Sequence, residues 1–254
     1  MRPPVAIILS FLLWCCLVIS VFVLYEYLSV PGVARGDRES IQTEITERMA
    51  AAAREGRVGC AAVVFVDSGT VSLARCYGAP NGDSKCDPDR SLFTVASVSK
   101  SATALGAMWL AEKGIKGLDE PLIRFMTRWK FPETPDSLRN EVTMRHLLSH
   151  TSGIVDGFGT GGSALDSPMQ SLPDYLTFPM HTNMGTPHAT VVSARPGSGF
   201  AYSTMGYAVV QLAIEDALGI PFNTFMTDSI FAPLGITHSS YDLVEIMARG
   251  DAED

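Results

Sequence analysis

The chain has little positive charge and no internal repetition. Its 254 residues include 19 Lys and Arg against 27 Asp and Glu, which gives a formal net charge of -8. Because the basic residues form no stripe, a nucleic acid or another polyanion finds no electrostatic footprint here, and nucleic-acid binding is set aside. No segment recurs at a period of about 20–50 residues, which excludes solenoids and repeat arrays.

Two motifs that would identify other kinds of site are also missing. No Cys-x-x-Cys pair occurs, so we expect no structural zinc site. Gly-x-Ser-x-Gly does not occur either, which excludes the nucleophile elbow of α/β-hydrolases. His146 and His150 have the i, i+4 spacing that could present two imidazoles to a metal ion, but no acidic or third histidine ligand is evident nearby. We therefore predict no metal and no cofactor.

An apolar segment opens the chain. Residues 5–25 are an uncharged stretch of 21 residues rich in Leu, Ile, Val and Phe, which at 1.5 Å per residue matches a hydrocarbon core of about 30 Å. We predict that residues 1–35 are a transmembrane signal-anchor and its flank, and that residues 36–254 form a domain on the non-cytosolic side. The alternative is a cleaved signal peptide and a secreted domain, although the apolar stretch exceeds the usual ~7–15 residues of such signals.

The remaining chain predicts a mixed α/β domain. Of all residues, 46% are apolar and 18% are charged, which is enough for a sizeable core. Residues 37–54 repeat apolar side chains on one helical face and predict an amphipathic helix. Residues 60–66 and 70–77 flank a turn at 67–69 and predict a β-hairpin. Residues 189–194 are the one other plausible strand.

The first strand of this hairpin is almost continuously apolar. Since residues 60–66 show no polar alternation, we expect the strand to be buried on both faces and to lie centrally in a sheet.

Three cysteines belong to the predicted domain. Cys60 and Cys76 fall at nearly opposite positions of the hairpin, so that one disulfide among Cys60, Cys76 and Cys86 can form in an oxidising compartment. Three reduced thiols are the alternative, and the sequence leaves both open.

Residues 97–113 place a hydroxyl and an amine on one face of a predicted helix, which ends at Gly114. Ser97 and Lys100 are three residues apart, which brings their side chains within reach of each other at the helix N-terminus. There the helix dipole and partial desolvation disfavour the ammonium, so that the amine can take the serine proton. The helix is apolar over most of its circumference, and we expect it to be buried at the domain centre. Its apolar positions include Ala102, Leu105, Met108 and Trp109.

Ser-x-x-Lys alone is a weak signal, because about one chance match is expected in a chain of this size and the ordinary interpretation is a surface turn of a helix. Its context is more specific. Three segments follow one another: Phe-Thr-Val-Ala-Ser-Val-Ser-Lys at 93–100, Thr-Met-Arg-His-Leu-Leu-Ser-His-Thr-Ser-Gly-Ile at 143–154, and Pro-Gly-Ser-Gly-Phe-Ala-Tyr-Ser-Thr-Met-Gly-Tyr at 196–207. Together they resemble the serine β-lactamase-related family, which includes class C β-lactamases, D-alanyl-D-alanine peptidases, related esterases and eukaryotic β-lactamase-like serine proteases.

The resemblance covers roughly residues 40–240 and implies a fold, a reaction and a site. The implied fold is that of β-lactamases and penicillin-binding proteins, an antiparallel sheet flanked by helices with an all-helical subdomain. The implied roles are acylating nucleophile for Ser97, its base for Lys100, and proton relay to the leaving group for Tyr202. Thr204, where bacterial members usually have Asn, would bind the substrate. The implied partner is a small-molecule or peptide substrate, with a peptide preferred over a β-lactam.

The resemblance also carries an expectation about the end of the chain at Asp254. Family members continue past the equivalent of residues 233–241 into a strand with a Lys-Thr-Gly or His-x-Gly sequence, so we expect the sheet to lack its C-terminal strands. That strand supplies one of two oxyanion-hole N–H groups, and losing such a donor lowers a rate about 10²–10³-fold. The alternatives to an active serine hydrolase are an inactive fold acting as a binding or scaffolding module, or a fragment of a longer enzyme.

Overall fold

The computed structural model describes residues 36–78, 86, 91–154, 170–178 and 189–248. The chain divides into two compact units, Met1–Asp89 with Asp254, and Arg90–Glu253. The predicted membrane segment at residues 5–25 lies outside the described residues. Within the part of the chain that is described, no helix is both long and apolar enough to span a membrane.

The first unit contains one described helix and one β-hairpin. Helix α1 (Arg38–Arg54) begins after Asp37, whose side chain accepts a hydrogen bond from the Ser40 backbone N–H at 2.9 Å. This contact satisfies a donor that the first helical turn leaves open. Strands β1 (Cys60–Asp67) and β2 (Thr70–Gly78) pair antiparallel, and α1 packs against both. The predicted helix and hairpin are therefore confirmed.

The hairpin turn uses two residues in the left-handed region. Ser68 and Gly69 have φ of 49° and 76°, as the two central residues of a type I′ turn require. They close the hairpin directly after the pair of Asp67 and Thr70. The twist of this turn matches that of paired strands, so the turn favours the hairpin, although the register shifts between Phe65 and Val66.

The expectation that the first strand is buried on both faces is wrong for the described residues. Half-buried and exposed side chains alternate along most of β1, and Val64 and Val66 are 58% and 64% exposed. The physical reason is that β1 pairs only with β2 in the described part of the chain. An apolar strand is buried on both faces only where neighbouring elements cover both.

Three cysteines of the first unit converge. Cys76 is opposite Ala62 in the register, two positions from Cys60, and the sulfurs of Cys60, Cys76 and Cys86 lie within 4.8 Å of one another. Cys86 is at bonding distance from each of the other two, with Cα–Cα separations of 5.5 and 5.6 Å that are usual for disulfides. Because a cysteine sulfur forms one disulfide, only one of these pairs can exist in a given molecule, and the third cysteine is then outside the bond.

The second unit is built from helices. In chain order these are α2 (Ser99–Glu112), α3 (Asp136–Arg139), α4 (Met144–Leu148), α5 (Leu172–Thr177), α6 (Thr204–Leu218), α7 (Phe222–Phe225) and α8 (Leu243–Ala248). Short 3₁₀ turns lie at Ala96–Val98, Leu122–Arg124 and Ala232–Leu234, and a π-helical stretch lies at Met226–Phe231. Together with the hairpin of the first unit, these helices confirm the mixed α/β class.

Helix α6 lies in the core of the second unit, where α2, α4, α5 and α7 pack against it. Its fully buried side chains are Val209, Val210, Leu212, Ala213 and Ile214. Apolar surface removed from water stabilises a fold by about 25 cal/mol per Å², so this helix is a main anchor of the unit. Because α6 begins at Thr204, the core also fixes the place of the preceding residues, Tyr202 and Ser203.

Helix α2 confirms the predicted helix but not its predicted burial. Ser97 lies in the 3₁₀ turn Ala96–Val98, and the α-helix follows and ends before Gly114, whose φ is 67°. The sequence predicts burial on nearly all sides, but Leu105 and Met108 are 52% and 49% exposed.

Gly106 lies on the buried face of α2. A Cβ atom at this position would lie 3.0 Å from both Met226 Sδ and Phe225 Cε1, so the absence of a side chain lets the helix approach its neighbours closely. The core packs against this side of α2, and apolar residues on the opposite side stay exposed. The other buried residues of α2 are Thr103, Ala107 and Leu110.

The strand predicted at residues 189–194 is not formed. Val192 makes a single isolated bridge with Ile154, and its backbone N–H donates to Thr134 Oγ1 at 3.0 Å. The Val192 N–H therefore donates to a side chain and not to the carbonyl of a neighbouring strand. The apolar alternation of this segment corresponds to an extended loop.

Candidate active site

Three predicted site residues meet in the second unit. Ser97 Oγ accepts hydrogen bonds from Lys100 Nζ at 3.2 Å and from the Tyr202 hydroxyl at 2.8 Å. Ser97 and Lys100 are three residues apart, whereas Tyr202 arrives from 105 residues later in the chain. The structure thus brings a hydroxyl, an amine and a phenol together around one oxygen atom.

The turn before α2 presents Ser97 to solvent. Ala96 has φ of 43°, a left-handed conformation that costs a non-glycine residue about 1–2 kcal/mol. Ser97 follows it as an exposed residue, and Val98 is 69% exposed. Backbone strain of this kind persists only where the surrounding structure holds it, here through the start of α2 and the two contacts of Ser97 Oγ.

Lys100 lies near the serine and two phenol rings. Its Nζ is 5.1 Å from the centroid of the Tyr202 ring and 5.6 Å from that of Tyr207, within the distance at which cations are attracted to aromatic faces. The side chain is partly buried in the first turn of α2. These contacts hold the amine beside Ser97 Oγ, where it can exchange a proton with the hydroxyl.

The surroundings of two tyrosines move their pKa values in opposite directions. A hydrogen bond with Lys100 lowers the pKa of Tyr202, and a hydrogen bond with Ser97 lowers it further, while partial burial opposes both. The charge of Lys100 and a hydrogen bond with Thr204 also lower it. Burial, and then the neighbouring Tyr202, raise the pKa of Tyr207. Of the two phenols, Tyr202 therefore loses its proton more easily.

The start of α6 lies directly beside this group. Ser203 is the N-cap of the helix, and its buried Oγ accepts the Gly206 N–H at 2.8 Å. Thr204 is the first helical residue, is partly buried, and forms a side-chain hydrogen bond with Tyr202. The predicted substrate-binding residue is therefore next to the phenol.

The loop that carries Tyr202 is tied to the segment after α4. Three backbone hydrogen bonds join them: Ser193 N–H to Gly153 O at 2.9 Å, Gly197 N–H to Thr151 O at 2.7 Å, and Ala201 N–H to His150 O at 2.8 Å. A fourth runs from the Ser203 N–H to Nδ1 of the His150 side chain at 3.0 Å. We call residues 150–153 and 193–203 the clamp. It holds the backbone on both sides of Tyr202.

Gly153 is required where the two segments of the clamp touch. Its φ is 77°, and a Cβ atom at this position would lie 2.1 Å from Ala194 O, far inside van der Waals contact. Glycine allows both this backbone conformation and this close approach. The glycine of the second motif therefore serves the position of Tyr202 in the third.

Sequence reasoning missed His150 and Tyr207 as residues of the site. The sequence offers His146 and His150 as a weak metal pair, but in the structure they act separately. His146 Nδ1 accepts the Thr143 N–H at 3.3 Å in a capping box of α4, whereas the His150 ring lies 4.4 Å from the Tyr202 ring. The sequence does contain a signal for both residues, because His150 belongs to the second motif and Tyr207 to the third. Membership of a motif indicates that a residue is important but does not indicate its role.

Residues suited to a metal lie in the other unit. Among the described residues, the sulfurs of Cys60, Cys76 and Cys86 are close enough to share an ion when all three are reduced thiols, whereas a disulfide between two of them excludes this. The side chains around Ser97 instead supply a hydroxyl, an amine and phenols, a set suited to nucleophilic attack and proton transfer.

Comparison with known proteins identifies the family of the chain. Residues 41–253 match the family described as Beta-lactamase. The chain is 33% identical over 150 residues to penicillin-binding protein 4* of Bacillus subtilis (strain 168), covering 59% of this chain and 30% of that protein. It is 27% identical over 205 residues to esterase EstB of Burkholderia gladioli, covering 79% of this chain and 51% of that protein. The matched part thus spans between 30% and 51% of the length of these relatives.

A solved structure shows the same fold. The β-lactamase/D-alanine carboxypeptidase from Yersinia pestis complexed with citrate matches with a TM-score of 0.60 at 23% identity, over 84% of this chain and 59% of that chain. The fold is therefore that of β-lactamases and penicillin-binding proteins, as the sequence motifs imply. Since the family match also spans most of its length, the chain belongs to the beta-lactamase family, whose members are serine hydrolases.

Proposed function

We propose that this chain is acylated on Ser97 and hydrolyses an amide or ester bond of a small-molecule or peptide substrate. The observation that carries the proposal is the convergence of Lys100 Nζ and the Tyr202 hydroxyl on Ser97 Oγ, at 3.2 and 2.8 Å. A serine hydroxyl is a weak nucleophile until an adjacent base removes its proton. Both groups lie within hydrogen-bond reach of that proton.

In the proposed reaction Lys100, as the free amine, accepts the Ser97 proton while Oγ attacks the substrate carbonyl carbon. Tyr202 then passes a proton to the leaving amine or alcohol as the scissile bond breaks, which leaves an acyl ester on Ser97. In the second half, the Tyr202 phenolate takes a proton from water as the water oxygen attacks the ester carbonyl carbon. The Lys100 ammonium then returns a proton to Ser97 Oγ as the bond to Oγ breaks, so that the acid and the free serine are released. The lowered pKa of Tyr202 suits a group that exchanges protons in both halves.

The surroundings of the serine support a peptide-like substrate. Thr204 beside Tyr202 would bind the substrate amide, although its hydroxyl reaches less far than the Asn of bacterial members. The Tyr-Ser-Thr sequence at 202–204 is more similar to the eukaryotic β-lactamase-like proteases than to drug-resistance enzymes, which favours a peptide over a β-lactam. Phe200 is 73% exposed and lies against His150, where it offers an apolar surface to the substrate. The names of the relatives, a penicillin-binding protein and an esterase, bring amides and esters into the proposed range.

A non-catalytic binding or scaffolding module is the second candidate function. It is favoured by Thr204, which stands where bacterial members of the family usually have Asn. A piece of a longer enzyme is a further alternative, since the matched part spans between 30% and 51% of the length of these relatives. The close contact of Ser97, Lys100 and Tyr202 favours catalysis, since a scaffold has no need of this arrangement.

We further propose that residues 5–25 anchor the chain in a membrane, with residues 36–254 on the non-cytosolic side. The support is the uncharged stretch of 21 apolar-rich residues, which is long enough to cross a hydrocarbon core of about 30 Å. Alkaline carbonate should leave the full chain in the membrane fraction, and detergent should release it. Release by carbonate, or a mature mass that lacks the first residues, would favour secretion after cleavage instead.

Labelling of the full-length protein tests the reaction. The protein is treated with a fluorophosphonate and with a fluorescent penicillin, and intact mass counts the adducts. We expect one adduct on the wild type and none on Ser97→Ala. Ser101→Ala is the matched control, because Ser101 is an exposed serine of the same helix, and it should label like the wild type.

Circular dichroism of each variant completes this experiment. A folded wild type without any adduct would favour the non-catalytic module. An adduct that persists in folded Ser97→Ala would show that Ser97 is not the nucleophile.

A further inference from the structure

His150 lies against the proposed proton carrier. It follows α4 with φ of 57°, a conformation in which Asn, Asp and His are enriched among non-glycine residues. Its ring centroid is 4.4 Å from that of Tyr202 and 5.3 Å from that of Tyr207, and the Phe200 ring lies at 5.8 Å. The imidazole is therefore part of the wall that supports Tyr202.

Two hydrogen bonds of His150 bracket Tyr202. Its backbone O accepts the Ala201 N–H at 2.8 Å, and its Nδ1 accepts the Ser203 N–H at 3.0 Å. A ring nitrogen that accepts a hydrogen bond carries no proton, so this contact assigns a neutral ring with its proton on Nε2. Protonation would place a second N–H on Nδ1, facing the N–H of Ser203, and the hydrogen bond would be lost.

We propose that His150 is a positioning residue for acylation: its neutral ring holds the Ser203 backbone, and with it the Tyr202 hydroxyl, against Ser97. Protonation of the ring releases this hold. The inference rests on the proposed function, because it assumes the roles of Ser97 and Tyr202 given above. The expected result is an acylation rate that falls as the pH falls through the titration of His150. An imidazole ordinarily changes its charge between about pH 5 and 8.

Two titratable groups lie against this ring, Tyr202 of the clamp and Tyr207 of α6. Lys100 of α2 lies over both phenol rings, and His146 lies four residues earlier in the capping box of α4. The ammonium of Lys100, over both phenol rings, opposes a second positive charge on His150, whereas an ionised Tyr202 favours it. Because Lys100 and Tyr202 also titrate in the site, a variant of His150 is needed to identify its part of the pH profile.

The variant His150→Asn keeps an acceptor for the Ser203 N–H but removes the titratable imidazole. The Asn side-chain oxygen can take the place of Nδ1 and accept the same N–H, Asn tolerates a positive φ, and its amide does not titrate. His150→Ala removes the acceptor and leaves the Ser203 N–H without this partner. At pH 8 we expect fluorescent-penicillin labelling of His150→Asn within about threefold of the wild type, and labelling of His150→Ala slower by about 10–100-fold.

Labelling at lower pH then tests whether protonation of the His150 ring slows acylation. Below the titration of His150 the wild type should lose about tenfold more labelling rate per pH unit than His150→Asn, whose acid limb reflects only the other titrating groups of the site, Lys100 and Tyr202. An acid limb of His150→Asn that coincides with that of the wild type would overturn the proposal. Labelling of His150→Ala as fast as that of the wild type at pH 8 would also overturn it. If the Ala variant does not fold, the comparison of His150→Asn with the wild type is sufficient to test the proposal.

The hydrogen bond between His150 and Ser203 can also be measured without catalysis, which distinguishes a failure of this proposal from a failure of the proposed function. In full-length wild-type protein with ¹⁵N-labelled serine, the Ser203 amide should shift with the same midpoint as the His150 ring. The Ser193 amide donates to the Gly153 carbonyl, which does not titrate, and is the matched control within the clamp. A Ser203 amide that ignores the His150 titration would overturn the positioning role. If that amide follows His150 while no pH gives labelling, the hold on Tyr202 is supported and it is acylation on Ser97 that fails.

Discussion

Ser97 and Lys100 lie at the start of one helix, whereas Tyr202 reaches the same oxygen from a loop 105 residues later. The first pair depends on local spacing, because side chains three residues apart in a helical turn are neighbours. The phenol depends on the clamp, in which residues 150–153 and 193–203 hold each other by backbone hydrogen bonds. Substitutions far from the serine can therefore move the phenol and leave the serine and the amine in place.

The largest effect should come from removing the phenol oxygen. Tyr202→Phe keeps the ring and deletes the hydroxyl that donates to Ser97 at 2.8 Å. General acid–base groups contribute about 10²–10⁴ to a rate, and we expect labelling by the fluorescent penicillin, whose leaving amine needs the Tyr202 proton, to slow by that factor. Tyr207→Phe is the matched control, because its hydroxyl donates only to the Leu148 carbonyl among the contacts described, and its rate should stay within about tenfold. Equal losses in both variants would contradict the assignment of Tyr202 as the proton carrier.

The next effect should come from breaking the clamp at Gly153. In Gly153→Ala the new Cβ meets Ala194 O at 2.1 Å, and the positive φ adds about 1–2 kcal/mol of its own. We expect the free energy of unfolding to fall by roughly 3 kcal/mol or more, measured by urea denaturation. Labelling of the remaining folded protein should also slow, because Tyr202 loses its support.

Gly114→Ala is the control for this experiment. Gly114 has a similar φ of 67°, but its added Cβ meets nothing within 4 Å. It should lose only about 1–2 kcal/mol and keep its labelling rate. Similar losses at Gly114 and Gly153 would mean that the clamp moves aside without consequence for the site.

A smaller effect is expected at the far end of α6, where Asp216 is anchored. Its buried carboxylate accepts the backbone N–H of Thr127 at 2.6 Å and of Arg128 at 3.1 Å. Burial by itself raises the pKa of Asp216, but the hydrogen bonds from Arg128 and Thr127 outweigh it and hold the pKa below its ordinary value of 3.8. Because the folded-state pKa is depressed, this stabilisation is complete well above pH 3.8 and is lost as the pH falls through the folded-state pKa.

Asp216→Asn tests that anchor. At pH 7 it should lower the free energy of unfolding by about 1–3 kcal/mol and reduce the loss of stability between pH 5 and about pH 3. The labelling rate of the folded variant should equal that of the wild type, because the clamp is untouched. A slower rate in the folded variant would show that the whole of α6, and not the clamp alone, positions Tyr202.

The smallest effect is expected beside the serine. Ala96→Gly relieves a left-handed residue with φ of 43° but adds the backbone freedom of glycine to the unfolded chain. The two terms leave a gain of up to about 1 kcal/mol in the free energy of unfolding, measured by urea denaturation. Labelling should stay within about threefold of the wild type, since helical spacing keeps Ser97 beside Lys100. A large loss of labelling would mean that the strained turn itself positions the nucleophile.

Secondary structure followed closely from local sequence. Asp37 caps α1, Ser68 and Gly69 form the hairpin turn, and Gly114 follows the end of α2. Each of these features is decided by a few neighbouring residues, through a side-chain hydrogen bond or a permitted φ. Burial could not be predicted from local sequence in the same way, as the exposed side chains of Val64 and Leu105 show. Exposure depends on which elements pack nearby, and composition does not specify those elements.

The candidate site was predicted in part. Ser97 and Lys100 follow from spacing, and Tyr202 was added by the resemblance of three ordered motifs to a family. Their chemical roles, and that of Thr204, stay predictions that the labelling experiments test. His150 was not identified, because its hydrogen bond to the backbone beside Tyr202 exists only once the clamp has formed.

The sequence by itself determined the local half of this protein: the helix that pairs Ser97 with Lys100, the hairpin turn, and membership of the beta-lactamase family through its motifs. The tertiary structure decided the other half. It brought Tyr202 to Ser97 across 105 residues, and it did so through the close contact at Gly153 and the hydrogen bond to His150. Spacing along a helix is a property of neighbouring residues, but contact between distant loops depends on the packing of every element between them.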